Sequence, residues 1–180
     1  MITVITGTEK FSFHRMIAQI ESIAKSAERA DEFFLQIGSS SYEPSACHWE
    51  RFVQFPEMVQ RIHDSDVVVT HAGAGSTLLC LQQGKRPIVM PRRKKFDEHV
   101  DDHQVLFAQK LAERGLVRVV MEEGDLAAAV LEALAEPARA RPLFGSGEVA
   151  RYLDRMLDVL ECETGIRSLT EIVERLRKAG

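Results

Sequence analysis

Short runs of β-branched and apolar residues alternate with longer amphipathic stretches from the start of the chain to about residue 135. The runs that predict strands lie at residues 2–6, 33–37, 51–55, 67–70, 87–90 and 117–121. Helices are predicted between them, at about residues 13–24, 56–63, 77–83, 97–114 and 125–135. This strand–loop–helix alternation is typical of an α/β fold, in which a parallel sheet is covered by helices on both faces.

The composition excludes several classes of protein. With 180 residues, of which 45% are hydrophobic and 28% charged, the chain can build the core of one domain and does not resemble a disordered protein. A formal net charge of −4 gives no general attraction to phosphate backbones, so we expect no nucleic-acid partner. No apolar run approaches the ~18 residues that a membrane span needs. The three cysteines form no CxxC pair, which favours a reducing, cytoplasmic location over a disulfide framework.

The regular alternation stops at residues 136–147, which contain two prolines and two glycines. We therefore divide the chain into a domain at residues 1–135 and a helical extension at residues 136–180. One helix of the extension is predicted from an apolar stripe formed by Val149, Tyr152, Leu153, Met156, Leu157 and Leu160, and another covers about residues 168–178. The stripe is suited either to core packing or to docking a partner protein.

Two glycine-containing corners follow predicted strands, at Thr6-Gly7-Thr8 and at residues 70–77, THAGAGST. Ligands of open parallel sheets bind where the carboxyl ends of strands lead into helices. Glycine lets the backbone approach a bulky anion, and the N–H groups of the following helix favour phosphate. Both corners are therefore candidate phosphate sites, although glycines in such places also serve simply to make tight turns.

Two better-known nucleotide signatures are incomplete in this chain. Gly73-x-Gly75 begins a dinucleotide-binding GxGxxG motif, but Leu78 stands where the third glycine belongs. The strand after it leads into Pro91-Arg92-Arg93 rather than an acidic ribose-binding residue, and no GK[ST] of a P-loop is present. An NADP-dependent reductase that uses Arg92 and Arg93 is kept as a minor alternative.

Residues 92–104 combine a basic run, RRKKF, with an acidic and histidine-rich run, DEHVDDHQ. The basic run is interpreted as a solvated loop or as an attraction for a diphosphate, an anionic membrane or an acidic partner. His99 and His103 are four residues apart, so on a helix they could chelate a metal ion. Since the sequence offers no clear third ligand, we predict no metal site here.

Several motifs together resemble the C-terminal domain of family 28 glycosyltransferases. These motifs are VVVTHAGAGS at residues 67–76, GKRPIVMP at 84–91, EHVDDHQ at 98–104, TGT at 6–8 with Phe13, and QIGSSSYEP at 36–44. They occur in the family's order and cover about residues 1–135. The likeness is greatest to single-domain members that act as the donor-binding subunit of a two-part enzyme, including subunits that make exopolysaccharide.

The resemblance implies a Rossmann-like domain equivalent to the C-terminal half of a GT-B glycosyltransferase. It implies a hexosyltransferase that takes a UDP-sugar as donor and inverts the anomeric centre without a metal or other cofactor. The acceptor would bind to a separate, membrane-associated subunit that recruits this chain to the cytoplasmic membrane face. The chain would form a heteromeric complex with that subunit and could associate with itself when isolated. The alternative is a non-catalytic nucleotide-binding or regulatory module of the same fold.

The resemblance also assigns donor-binding residues, while the catalytic base stays unassigned. Gly7 and Thr8 would line the cleft, Phe55 would lie against the uracil, and Glu98, His103 and Gln104 would reach ribose or sugar hydroxyls. The diphosphate would be held at the second corner, formed by His71, Gly73, Ala74, Gly75, Ser76 and Thr77. One departure from the family is Leu79, which occupies the place of a glutamate that binds the ribose diol in many members.

Overall fold

All the strands of the structure run parallel in one twisted sheet, with helices between them. The computed structural model describes residues 1–121 and 125–136. The strands are β1 (Ile2–Ile5), β2 (Phe33–Gln36), β3 (His48–Glu50), β4 (Val67–Thr70), β5 (Ile88–Val89) and β6 (Arg118–Val119). The helices are α1 (His14–Ser26), α2 (Phe55–Asp64), α3 (Ala74–Gln82), α4 (His103–Glu113) and α5 (Asp125–Ala135), with 3₁₀ turns at Ala30–Glu32 and Lys94–Phe96. The predicted helices at 149–160 and 168–178 lie outside the described residues.

The strand order is β3-β2-β1-β4-β5-β6, so the chain leaves the sheet edge at β3 and returns to the centre at β4. The order therefore reverses between β1 and β4, where parallel α/β sheets form their ligand crevice. Ile5 pairs in register with both Gln36 and Thr70, so β1, β2 and β4 end level with one another. The loops that carry the two predicted glycine corners are thereby placed side by side.

Helices cover both faces of the sheet, which confirms the predicted α/β fold. On one face α1 and α5 pack against strand residues such as Val4, Val67 and Val69. On the other face α2 and α3 pack against Ile5 and Val68, and α4 completes that layer. Because side chains of a strand alternate between faces, and both faces are covered, the central strands are apolar at most of their positions. None of the helices in the described ranges is long and apolar enough to cross a membrane.

Two predicted elements are placed wrongly by the sequence pattern. The third strand covers His48–Glu50 rather than residues 51–55. Phe34, Leu35 and Gln36 of β2 pair with the residues of His48–Glu50. Phe52 beyond it is 54% exposed. The apolar residues at 51–55 therefore do not mark a buried strand.

Helix α4 begins at His103 rather than near residue 97. The 3₁₀ turn at Lys94–Phe96 is ended by Asp97, whose backbone is left-handed with φ 55°. Asp102 Oδ1 then accepts a hydrogen bond from Lys94 N at 2.8 Å, and Asp101 Oδ1 accepts one from His103 N at 3.1 Å. Aspartate side chains that bond nearby backbone N–H groups compete with helix formation, so the acidic run forms a loop.

Candidate functional site

The turns that follow β1 and β2 touch each other at two glycines. Gly7 has φ +83° and Gly38 has φ +56°, a left-handed conformation that side chains disfavour. A Cβ at Gly38 would lie 2.5 Å from Gly7 O, and a Cβ at Gly7 would lie 2.5 Å from His71 Nε2. The backbone of the first corner therefore lies directly against the second.

His71 fills the space between the two corners. Its side chain is nearly inaccessible to solvent, and a Cβ added at Gly73 would lie 2.0 Å from Nε2. Burial, aided by the charge of Arg92, lowers the pKa of His71 to about 3. Nδ1 lies 3.3 Å from Ile5 O, a contact in which only a protonated Nδ1 can donate. The imidazole is therefore neutral, and Nε2 presents a lone pair toward the glycines.

The amino end of α3 provides unoccupied backbone donors beside His71. The helix begins at Ala74 with Gly73 as its N-cap, and no side chain in the described ranges caps it. The hydroxyl of Ser76 is engaged instead with Thr70 Oγ1 at 2.9 Å and Gly73 O at 3.2 Å. First-turn N–H groups and the positive end of the helix dipole together suit an anionic group such as a phosphate.

Thr77 differs from the other predicted residues of this corner. It is fully buried, and its Oγ1 finds no hydrogen-bond partner among the residues that the structure describes. Gly75 and Ser76, in contrast, are partly exposed. The exposed part of the corner thus consists of backbone and one hydroxyl.

Gln36 holds the Gly7 turn from the neighbouring strand, a role that the sequence analysis missed. Its Oε1 accepts a hydrogen bond from Gly7 N at 3.0 Å, and its Nε2 donates to Gly7 O at 2.8 Å and to Arg51 O at 3.0 Å. The available signal was a polar residue at the end of the otherwise apolar strand FFLQ. Both backbone groups of Gly7 are fixed by this one side chain.

Arg92 joins the loop after β1 to the loop after β5. Its guanidinium is 1% exposed and donates to the carbonyl oxygens of Thr6 at 2.8 Å and Phe11 at 2.9 Å. It also donates to Ser12 O and Glu98 O, each at 3.2 Å. Burial lowers the pKa of Arg92 to about 10, which still leaves it charged at neutral pH. The basic run is therefore only partly a solvated loop, and Arg92 is not available to a 2′-phosphate as the reductase alternative requires.

Glu98 and Gln104 are also buried and engaged within the protein. Glu98 forms a two-pronged ion pair with Arg15, with distances of 2.9 Å from Nε and 2.8 Å from Nη2, and accepts a hydrogen bond from Arg93 N. Gln104 Oε1 accepts one from Arg92 N at 3.1 Å. These contacts fix the loop between β5 and α4 against α1.

The other predicted site residues, Thr8, His103 and Phe55, also follow the carboxyl ends of strands. They follow different strands and so lie at different distances from His71. Thr8 is exposed in the turn after β1, and His103 is the first residue of α4, hydrogen-bonded to Asp101 through Nδ1. Phe55 is the first residue of α2 and is 47% exposed. It follows β3, and β2 lies between β3 and β1 in the sheet. The structure thus brings the glycine corners and His71 into direct contact and leaves Phe55 two strands away.

Leu79, which replaces the glutamate expected on α3, lies in the core. It is 5% exposed and packs with Ile5, Ile62 and Val68 between the sheet and α2. Its apolar side chain offers no hydrogen bond to a ribose diol.

Comparison with known proteins identifies related sequences and folds. The chain matches the glycosyltransferase family 28 C-terminal domain over residues 1–143. It is similar in fold to the glycotransferase of kitacinnamycin, with TM-score 0.58 and 20% identity over 89% of this chain and 42% of that one. It is also similar to CalG4, the calicheamicin glycosyltransferase, with TM-score 0.55 and 16% identity over 91% of this chain and 44% of that one. The chain thus spans less than half the length of either, and no curated protein matches it.

Proposed function

Because the chain belongs to the glycosyltransferase family 28 C-terminal domain family, we propose that it is the donor-binding subunit of a UDP-sugar-dependent, inverting glycosyltransferase. Its fold is that of the C-terminal half of a GT-B glycosyltransferase. We propose that it transfers a hexosyl group during the synthesis of a polysaccharide, such as an exopolysaccharide, or a lipid-linked glycan. The displacement itself needs no cofactor.

The observation that carries this proposal is the uncapped amino end of α3 against His71. Gly73 allows the helix to begin within contact of the imidazole, and no side chain of residues 1–121 or 125–136 caps the helix, which leaves its first N–H groups to a ligand. A diphosphate carries the charge that these donors favour. His71 is neutral and adds an acceptor, so it can bond a hydroxyl of the donor without competing for the anion's position.

The remaining roles follow from the placement of each side chain. Ala74, Gly75 and Ser76 would hold the diphosphate, with Gly7 and Thr8 on the opposite wall. His103 would contact sugar or ribose hydroxyls, and Phe55 the uracil. Glu98 and Gln104, whose polar atoms bond Arg15 and the backbone, are assigned to positioning the loop between β5 and α4.

We propose that the rest of the active site comes from a separate acceptor-binding protein, as the resemblance to donor-binding subunits of two-part enzymes implies. The chain spans less than half the length of the two glycosyltransferases it resembles. We propose that a membrane-associated subunit binds the acceptor, supplies the general base and recruits this chain to the cytoplasmic membrane face. Without that subunit the chain would show donor binding but little transfer.

Ligand-detected NMR with UDP, GDP and NADP tests the donor site and tolerates the weak affinity of half a cleft. We expect UDP contact in the wild type and its loss in Gly75→Val, since the new side chain would stand at the partly exposed amino end of α3, where the diphosphate is proposed to bind. Gly115→Asn is the matched control, because Gly115 lies before β6 at the opposite edge of the sheet, where an added Cβ meets nothing within 4 Å. Preference for NADP over UDP, or equal loss in both variants, would contradict the proposed site.

The alternative function is a non-catalytic nucleotide-binding or regulatory module. Leu79 favours it, because the buried leucine removes a ribose contact that many family members use. The two functions differ in one result. UDP contact without transfer in the presence of any acceptor-binding subunit supports the module, and transfer with such a subunit supports the enzyme.

The predicted helix at residues 149–160, outside the described residues, is proposed to dock the partner subunit. In a chain carrying Tyr152→Glu and Met156→Glu, co-purification with the acceptor-binding subunit should fall below detection, since charges would be buried in an apolar contact. Charge substitution of exposed Leu106 on α4 is the control, because that side chain lies on a different helix. Retained co-purification of the double variant would show that the partner docks elsewhere.

A further inference from the structure

His99, Asp101 and His103 converge in the loop that leads into α4. One ligand-type atom from each of the three lies within 4.8 Å of the others. The rings of His99 and His103 pack edge to face with centroids 4.6 Å apart. The sequence analysis named only the two histidines and placed both on one helix. In the structure α4 begins at His103, so His99 lies in the loop before it. The loop itself brings them together and adds the carboxylate between them as a third group.

One of the separations in this cluster is that of two ligands of a tetrahedral metal ion, whereas the contact between Asp101 and His103 is a hydrogen bond that a bound ion would have to open. His99 Nδ1 lies 3.4 Å from Asp101 Oδ1, and Asp101 Oδ1 also contacts His103 Nδ1. Two ligands at the ~2.0–2.1 Å typical of zinc bonds are about 3.4 Å apart in tetrahedral geometry. A metal ion could therefore be accommodated with small side-chain shifts.

His99 is the member of the cluster that most needs a ligand. Its side chain is 11% exposed, and Nδ1 is buried without a hydrogen-bond partner among the residues the structure describes, since its approach to Asp101 lacks hydrogen-bond geometry. A buried ring nitrogen without a partner loses its hydration with no compensation. A bound cation would supply that missing interaction.

We propose that His99, Asp101 and His103 form a binding site for a divalent transition-metal ion of the zinc class. Two imidazoles and one carboxylate suit zinc and its neighbours, whereas magnesium and calcium prefer oxygen ligands. Three protein ligands leave the fourth position of a tetrahedral ion to water or to a ligand oxygen. His103 is shared with the donor site, so the ion would lie beside the bound sugar nucleotide; this consequence alone depends on the proposed function.

The test is calorimetric titration of the full chain, stripped of metal by a chelator, with Zn²⁺, and visible absorption with Co²⁺ as a spectroscopic substitute. We expect one equivalent of Zn²⁺ that excess Mg²⁺ does not displace. His99→Ala and Asp101→Asn should each weaken binding by at least about 10-fold. Asp101 is exposed, so its variant keeps the test valid even if loss of the buried His99 ring impairs folding.

His63→Ala is the matched control, because His63 pairs with the Asp64 carboxylate on the surface but, in the described part of the chain, belongs to no group of three metal-ligating side chains. It should leave Zn²⁺ binding unchanged. The proposal is overturned by the absence of saturable binding, by binding that survives both His99→Ala and Asp101→Asn, or by equal loss in His63→Ala. Because the readout is metal binding, failure of the UDP experiment does not affect it.

Discussion

Replacing Gly73 with alanine should displace His71 and abolish donor binding. The added methyl would lie 2.0 Å from His71 Nε2, far inside van der Waals contact. Overpacking of this kind costs ~1–3 kcal/mol, so we expect the free energy of unfolding to fall by about 2 kcal/mol and UDP contact to disappear. Urea unfolding and ligand-detected NMR measure the two effects.

A double-mutant cycle separates crowding from other effects of the substitution. In a His71→Ala background the imidazole is gone, so Gly73→Ala should cost less than about 0.5 kcal/mol, with a coupling energy above ~1 kcal/mol. Equal costs in the two backgrounds would mean that the methyl does not meet His71. The contact at the centre of the candidate site would then be wrong.

Replacement of the buried Arg92 should lower the free energy of unfolding strongly. Arg92→Met keeps the bulk of the side chain but leaves the carbonyls of Thr6, Phe11 and Glu98 without their donor. Each buried acceptor left unsatisfied costs ~1–3 kcal/mol, so we expect a loss of about 4 kcal/mol in urea unfolding. Arg92→Lys should fall between wild type and methionine, because an ammonium cannot reproduce the planar set of donors.

Lys95→Met is the control for the basic run. Lys95 is exposed and lies over the ring of Phe96, so its replacement should change the free energy of unfolding by less than about 0.5 kcal/mol. If Arg92→Met were no more damaging than Lys95→Met, the buried guanidinium would not be what joins the two loops.

The parts of the fold that the sequence predicted depend on local rules. Residues 67–69 are apolar because both faces of their strand are covered, and Gly73, three residues after the strand ends, is the N-cap of the next helix. Such patterns are contained within a few residues. These local patterns were sufficient to predict the α/β class, most strand positions and the place of the second glycine corner.

The parts that could not be predicted depend on partners distant in sequence. In the sequence, Arg92 cannot be distinguished from the other charged residues of RRKKF. Only folding brings its guanidinium to the carbonyl oxygen of Thr6, 86 residues away. Glu98 has the residue type of a ribose ligand, but its oxygens are taken by Arg15, 83 residues away. The sequence analysis named His99 and His103 but not Asp101 as their neighbour, because two aspartates bond the backbone and replace the predicted helix with a loop.

Among the described strands, β3 is the outermost on one side of the sheet, and its sequence bears on how the protein avoids aggregation. It has three residues, of which His48 and Glu50 are exposed, and ion pairs from Arg51 to Glu43 and from Arg61 to Glu50 flank it. A short strand with charged neighbours gives another chain few free backbone groups to extend, a common safeguard against edge-to-edge aggregation. Pairing of two copies strand to strand through β3 is therefore disfavoured, and this side of the sheet is protected from growth into fibres.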